Sequence, residues 1–224
     1  MIVEDDEKLA ALVAEYLTQA GFEPVIETNG LNAIDRIIQE APDLVILDWM
    51  LPDKDGIEIC KAVRSRYPGV ILMLTARSDE IDEIQAFEAG VDDYLAKPVR
   101  PLALTKRIKS HLTKTEIELP PNAPKRITLG RLVIDAARRE AHFYDVLLDL
   151  TTGEFDLLWY FAQRPGQQIT RDETYRDLRG IEWDGLDRSI DLRVARLRKK
   201  LGDDARMPSM IKSIRGIGYL LAVN

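Results

Sequence analysis

A chain of 224 residues, 46% hydrophobic and 31% charged, is long enough for two small domains with a core each and too apolar to be disordered. Its single cysteine, Cys60, excludes an internal disulfide, and its two histidines, His111 and His142, lie too far apart in sequence to suggest structural zinc. The net charge of −7 conceals a division: residues 1–115 hold 13 basic against 21 acidic residues, whereas residues 116–224 hold 18 against 17.

Up to about residue 114, strand-like apolar runs alternate with helix-period segments, the pattern of a parallel sheet wrapped by helices on both faces. Strands are predicted at Ile2–Val3, Pro24–Thr28, Leu44–Leu47, Val70–Leu74 and Asp93–Ala96. Helices are predicted at about Glu7–Gln19, Leu31–Glu40, Ile57–Arg66, Asp79–Ala89 and Pro101–Lys114. The first strand is short because the chain begins almost at its end. Even the most apolar run, Val70–Leu74, is strand-sized and far short of the roughly 20 residues that span a bilayer. The chain opens on Glu4-Asp5-Asp6 rather than on a signal peptide, so a cytoplasmic protein without a membrane partner is expected.

A stretch reading TKTEIELPPNAPKR follows, in which three prolines favour an extended, semi-rigid path. It divides the chain into a first domain at 1–114, a linker at 115–126 and a second domain at 127–224. In the second, short alternating runs (Ile127–Ile134, Ala141–Phe143, Val146–Asp149) predict a small antiparallel sheet, and helical patterns cover Thr152–Arg164, Arg171–Leu178 and Arg188–Leu201. A final strand pair, Met210–Ile214 and Tyr219–Val223, flanks the turn Arg215-Gly216-Ile217-Gly218. Three helices ending in a hairpin describe an α+β winged helix-turn-helix.

In the first domain Asp5 and Asp6 end the first predicted strand, Asp48 the third, Thr75 the fourth and Lys97 the fifth. The carboxyl ends of parallel strands, where strand order reverses, form the usual ligand crevice of such a sheet, so these residues are expected to converge there. Three crowded carboxylates repel, and oxygen-only ligands without sulfur or imidazole favour Mg²⁺ as the relieving cation. In-line phosphoryl transfer to a carboxylate needs positive charge and hydrogen bonds at the equatorial oxygens, which Mg²⁺, Lys97 and the Thr75 hydroxyl would supply. Asp48, on a loop turned by Asp55-Gly56, is the natural acceptor. Singly, an Asp-Asp pair is more often a helix N-cap, and a Lys-Pro or Thr-Ala dipeptide is noise; their joint placement at successive strand ends carries the reading.

Through IVEDD, LVILDWMLPDKDG, LTA and DDYLAKP, residues 2–112 resemble the receiver domain of a bacterial two-component response regulator, a flavodoxin-like α/β fold. The resemblance implies Asp5, Asp6, Asp48 and the Met50 backbone carbonyl as Mg²⁺ ligands, with Asp48 phosphorylated by a sensor histidine kinase. It further implies Thr75 and Tyr94 as a switch pair, Lys97 on the phosphoryl oxygens and a cis Lys97–Pro98 bond. A lone aromatic such as Tyr94 at a strand is otherwise usually packing.

Between Arg188 and Lys200 stand six basic residues against the single Asp191, a local excess suited to a polyanion. Phased at about 100° per residue, Ile190, Val194, Leu197 and Leu201 face the core. The opposite face then presents Arg188, Leu192, Ala195, Arg196 and Lys199, with Arg193, Arg198 and Lys200 on its flanks. Such a face suits the major groove of double-stranded DNA, with Arg215 placed where a wing would reach the minor groove. A charge run is more often a solvated face, but here compensating acids are scarce. Through LTTGEFDLLWYFAQRPGQQITRDE, DRSIDLRVARLRKKLGD and IKSIRGIGYLL, residues 127–223 resemble the DNA-binding domain of the OmpR/PhoB family, and LRGIEWDGLDRSID resembles its RstA-type branch. Family analogy puts Arg188 and Arg198 on phosphates, Arg196 on bases, Arg215 in the minor groove and Arg193 on a phosphate.

Members of the family activate as homodimers through the fourth helix, fifth strand and fifth helix of the receiver, held by cross-subunit ion pairs. Asp93 and Arg107 match that pattern, and Asp92 with Lys114 offers another pair. Glu83 stands where a base is usual, Ala103 where an acid is usual, and Val99 replaces a phenylalanine. The resemblance thus implies a transcription factor, with RNA polymerase as a further partner and no catalysis beyond assisting its own phosphorylation and dephosphorylation. Two rivals are an aspartyl-phosphate enzyme of the haloacid-dehalogenase type, which needs an aspartate where Met50 stands, and a receiver serving as a phosphorylation-independent dimerisation module, which the full acidic pocket opposes.

Overall fold

The computed structural model describes residues 1–76, 80–112, 125–183, 185, 187–204 and 206–222, the side chains of Glu80 and Glu83 excepted. The chain divides into two units, Met1–Leu112 and Thr113–Asn224.

Near-continuous runs of Val, Ile and Leu can be buried only in a sheet covered on both faces. In the first unit Ile2–Val3 (β1), Ile26–Glu27 (β2), Leu44–Asp48 (β3), Val70–Thr75 (β4) and Asp93–Ala96 (β5) form that sheet, parallel throughout, in the order β2-β1-β3-β4-β5. Both β3 and β4 are buried at every residue. The helices are Glu7–Gln19 (α1), Gly30–Glu40 (α2), Gly56–Arg64 (α3), Glu80–Ala89 (α4) and Pro101–Leu112 (α5). Because side chains alternate along a strand, Leu72 and Leu74 meet α1 and α5 on one face, while Ile71 and Met73 meet α2, α3 and α4 on the other. The second strand is shorter than predicted. It lies at the sheet edge, and its partner β1 offers only the pairs Ile2↔Ile26 and Val3↔Glu27.

The second unit opens with an antiparallel sheet of Arg126–Leu129 (β6), Leu132–Asp135 (β7), Glu140–Phe143 (β8) and Val146–Leu147 (β9). The predicted single run Ile127–Ile134 is two strands, because Gly130 takes a positive φ of 58° and turns the chain. Thr152–Ala162 (α6) and Arg171–Arg179 (α7) each begin on a capping box, Thr151 with Glu154 and Thr170 with Glu173. Between them Ile169–Thr170 (β10), not foreseen from the sequence, pairs with a later strand. Ser189–Leu201 (α8), Ile211–Ile214 (β11) and Gly218–Leu221 (β12) complete the unit, the small sheet running β10-β12-β11. A side chain at residue 218 would stand 2.1 Å from the Ile169 carbonyl, so glycine lets β10 and β12 pair. The core joins Phe155, Leu158 and Phe161 of α6 to Ile190, Val194 and Leu197 of α8 and to Tyr219. The reading of 115–126 as a linker falls, apart from Lys125 and Arg126, outside the described residues.

Gly56 fixes the turn that follows β3. Its N–H donates to the Trp49 carbonyl at 2.9 Å, and a Cβ there would stand 2.2 Å from the Asp48 carbonyl oxygen. Gly56→Ala is therefore expected to cost about 1–3 kcal/mol by forcing the backbone apart, measured as a lower urea midpoint of the full chain.

Candidate functional site

At the carboxyl ends of the parallel strands, β1 and β3 lie side by side with Val3 paired to Leu47, so the next residues, Glu4 and Asp48, come level. Each is only 4% exposed. Carboxylate oxygens of Glu4, Asp5 and Asp48 all lie within 4.8 Å of one another. Lys97, just past β5, sends its Nζ to Glu4 Oε2 at 2.8 Å and to Asp48 Oδ2 at 3.0 Å. Burial pushes the Glu4 carboxyl above its ordinary range, against the pull of Lys97. Burial works against the Lys97 ammonium too, yet its hydrogen bonds with Glu4 and Asp48 hold it above its ordinary range.

Asp6 does not join this cluster. Its Oδ1 accepts the N–H groups of Lys8 and Leu9 at 2.9 and 3.1 Å, so it is the N-cap of α1. Of the expected trio of Asp5, Asp6 and Asp48, the structure brings Asp5 and Asp48 together, and the third carboxylate of the cluster is Glu4 rather than Asp6. The donor set stays all-oxygen and suits a hard divalent cation. Glu4 was missed because its run Ile2-Val3-Glu4 reads as the end of a buried strand, where an acid is rare without a cation. The Met50 N–H donates to Asp48 Oδ1 at 3.3 Å. Thr75 is wholly buried at the end of β4, and its carbonyl accepts the Lys97 N–H at 2.6 Å. Tyr94 is half-buried against the core under α2, α3 and α4. The Lys97–Pro98 bond is cis, as expected.

The acids expected to pair across a dimer are spent within their own chain. Asp92, fully buried, pairs with Arg64 at 2.9 Å and accepts the Ile71 N–H. Asp93, 1% exposed, pairs with Arg107 at 2.6 Å and His111 Nε2 at 3.0 Å. Both stand where β5 enters the sheet, so each side chain is buried and already paired within its own chain. Lys114 and the Glu83 side chain lie outside the described residues.

On α8 the predicted core stripe holds: Ile190, Val194, Leu197 and Leu201 are all buried. Of the predicted flanks, Arg193 and Arg198 are buried, while Lys200 is part-exposed. Arg193 and Arg198 stand about 70° either side of that stripe and are only 2% and 9% exposed. Arg198 donates to the Ile211 carbonyl at 2.8 Å and to Ser213 at 2.9 Å, tying α8 to β11. Arg196 folds back on Glu154 at 3.4 Å, and Lys200 meets the same carboxylate at 2.7 Å. Glu154 is wholly buried and also completes the α6 capping box. The box is legible in the sequence, whereas the two cations it collects are not. Asp191 likewise gathers Arg171 of α7, Arg188 and the Tyr219 hydroxyl of β12. The open surface includes Arg188, Ala195 and Lys199, with Leu192 half-exposed among them, and Lys212, Ser213, Arg215, Gly216 and Ile217 at the hairpin.

Two family descriptions match the chain: the response regulator receiver domain over residues 1–109 and the C-terminal region of transcriptional regulatory proteins over residues 145–221. The chain is 39% identical to the transcriptional regulatory protein RstA of Escherichia coli (strain K12), over 99% of this chain and 96% of that protein. It is 36% identical to the alkaline phosphatase synthesis transcriptional regulatory protein PhoP of Bacillus subtilis (strain 168), over 99% and 95%. Among solved structures, the response regulator DrrB of Thermotoga maritima, an OmpR/PhoB homologue, aligns over 99% of this chain and 97% of its own, with a TM-score of 0.52 at 30% identity.

The two acids of the Asp5-Asp6 pair are expected to separate by experiment. Asp6→Ala should cost about 1 kcal/mol of stability, the value of an N-cap, while Mg²⁺ affinity stays within about twofold of wild type. Glu4→Gln should weaken Mg²⁺ by roughly tenfold or more, as loss of one charged ligand does. Urea melts and Mg²⁺ titration of Trp49 fluorescence measure both.

Proposed function

From the premise that the chain belongs to the OmpR/PhoB-type response regulators, we propose that it is a cytoplasmic transcription factor whose DNA binding is switched by a phosphoryl group on Asp48. The observation that carries this reading is the Glu4–Asp5–Asp48 cluster bridged by Lys97. Asp48 is the acceptor because it alone of the three sits at the end of a central strand, with the Met50 N–H at one oxygen and Lys97 at the other. Glu4, Asp5, Asp48 and the Met50 backbone carbonyl would hold Mg²⁺, which when bound adds positive charge beside the acceptor. An Asp48 oxygen attacks the phosphorus, the phosphohistidine imidazole of a sensor kinase leaves, and Lys97 turns from Glu4 and Asp48 to the new phosphoryl oxygens. The Thr75 hydroxyl follows, and Tyr94 moves into the space it vacates.

The consequence is dimerisation through α4, β5 and α5, where Ile81 and Leu102 stand exposed. A cross-subunit role for Asp93 and Arg107 then requires exchange of the bond they make within one protomer. Two linked output domains bind two half-sites at a raised effective concentration. In each, α8 enters the major groove with Arg188 and Lys199 on phosphates, Arg215 takes the minor groove, and Arg196 reaches DNA only by exchanging Glu154. RNA polymerase is the partner through which such a bound dimer acts. Among the described residues no helix is long and apolar enough to cross a membrane.

Labelling with radioactive acetyl phosphate tests the acceptor. Wild type should incorporate phosphate only with Mg²⁺ present, and Asp48→Asn should incorporate none; undiminished labelling of that variant would move the acceptor elsewhere. For the output domain, Arg188→Ala and Lys199→Ala should each reduce the slope of log affinity against log salt by about 0.9, whereas Arg193→Lys should leave it unchanged. Fluorescence anisotropy with a duplex at several salt concentrations reads the difference.

A further inference from the structure

Four positions define the outward face of α8. Arg188, Leu192, Ala195 and Lys199 recur at i, i+4, i+7 and i+11, one straight stripe opposite the core. Its ends are cationic and its centre is a leucine and an alanine. The arginines that would normally supply hydrogen bonds to base edges are engaged elsewhere. Arg196 is on Glu154, Arg198 is on the Ile211 carbonyl and Ser213, and Arg188 is on Asp191 at 2.9 Å. Lys200, beside them, is held by Glu154 and the Asp149 carbonyl. Lys199 remains as a compact charge on a flexible stem, suited to a phosphate rather than to the paired acceptors of guanine.

What a groove-facing Leu and Ala can distinguish is narrow. They offer neither donor nor acceptor, and the 5-methyl of thymine is the apolar group on the major-groove edge of the base pairs. We propose that Leu192 and Ala195 are specificity-determining residues that read thymine through its 5-methyl, and that the preferred half-site of this chain carries thymine at the positions under the middle of α8. This rests on the reading of α8 as a DNA-entering helix and adds what that helix recognises. Arg188 and Lys199 fix the helix at its two ends, and the methyl contacts set its register.

The test uses the full chain treated with acetyl phosphate. Duplexes are enriched from a random-sequence pool, and each thymine of the enriched site is then replaced by deoxyuridine, which removes only the 5-methyl. One or two positions should lose about fourfold in affinity, the factor that burial of one methyl-sized group is worth. Leu192→Ala should bring the thymine-to-uracil ratio at one of them close to one, and Ala195→Ser should do so at a neighbour. A partly misfolded variant would weaken both duplexes equally and leave the ratio unmoved, so the ratio isolates the contact. The proposal is overturned if no thymine responds, or if both variants keep the wild-type ratio at every position. Failure to enrich any sequence would instead overturn the DNA-binding reading, and the proposal with it.

Discussion

Two ionised carboxylates that stand level in a protein interior repel, and in the receiver unit Lys97 lies between them and offsets that repulsion. The pairing of Val3 with Leu47 leaves Glu4 and Asp48 no choice but to be neighbours. Lys97 reaches them because β5 lies in register with β4, Thr75 opposite Ala96, so that the residue after β5 overhangs the same edge. Its own N–H is fixed to the Thr75 carbonyl. The strand order, the register of three strand pairs and the length of one lysine therefore meet in a single contact. Removing the cation would leave a buried repelling pair, which explains why the pocket can be acidic enough for a divalent metal and still fold.

The output unit solves the same problem with the signs reversed. A basic helix packed against a core must bury the stems and some of the heads of its arginines. Several such heads across the unit are met: Arg198 of α8 by a strand carbonyl, Arg179 of α7 by Asp187 at 2.8 Å, and the part-buried Arg139 by Asp156 at 2.6 Å. Glu154 serves twice, capping α6 and neutralising two cations of α8, so it couples the start of one helix to the face of the other. Asp191 does the equivalent for α7, α8 and the hairpin. These acids position the outward stripe of α8 without lying on it.

The fold was legible in the sequence wherever a pattern had length. Continuous apolar runs revealed β3 and β4, and the 3.6-residue period revealed the core side of α8 to the residue. Two-residue strands have no period, so β10 went unseen and β2 was drawn too long. The pocket was legible as a set of strand ends, but its membership turned on one residue of register. Shifting the acidic pair by one exchanges a buried carboxylate of the cluster for an exposed cap, and the run Glu4-Asp5-Asp6 looks the same either way. The contacts of α8 were the least legible part. Periodicity gives the angle of Arg193, Arg196 and Arg198 around the helix, but whether a long side chain at that angle reaches water or folds onto a neighbour depends on α6 and β11, which the helix's own sequence does not contain.

In the proposed reading, the same internal pairs set how strongly the switch can act. A basic count of 18 against 17 in residues 116–224 already leaves almost no net attraction for a polyanion, and the internal pairs withdraw several of those cations from the surface. The remaining exposed charges on α8 and its hairpin, Arg188, Lys199, Lys212 and Arg215, are few. Non-specific affinity scales with the number of phosphates neutralised, so in the proposed reading a single output module binds DNA weakly. In that reading, weak single-module binding is what would make control by dimerisation effective. A module that held DNA tightly alone would occupy its sites before and after phosphorylation, whereas one that needs a partner's contribution changes occupancy steeply when two copies are joined. In the proposed reading, the acids that fold the output domain and the aspartate that switches the receiver therefore belong to one scheme, in which basal attraction is kept low so that linkage can decide.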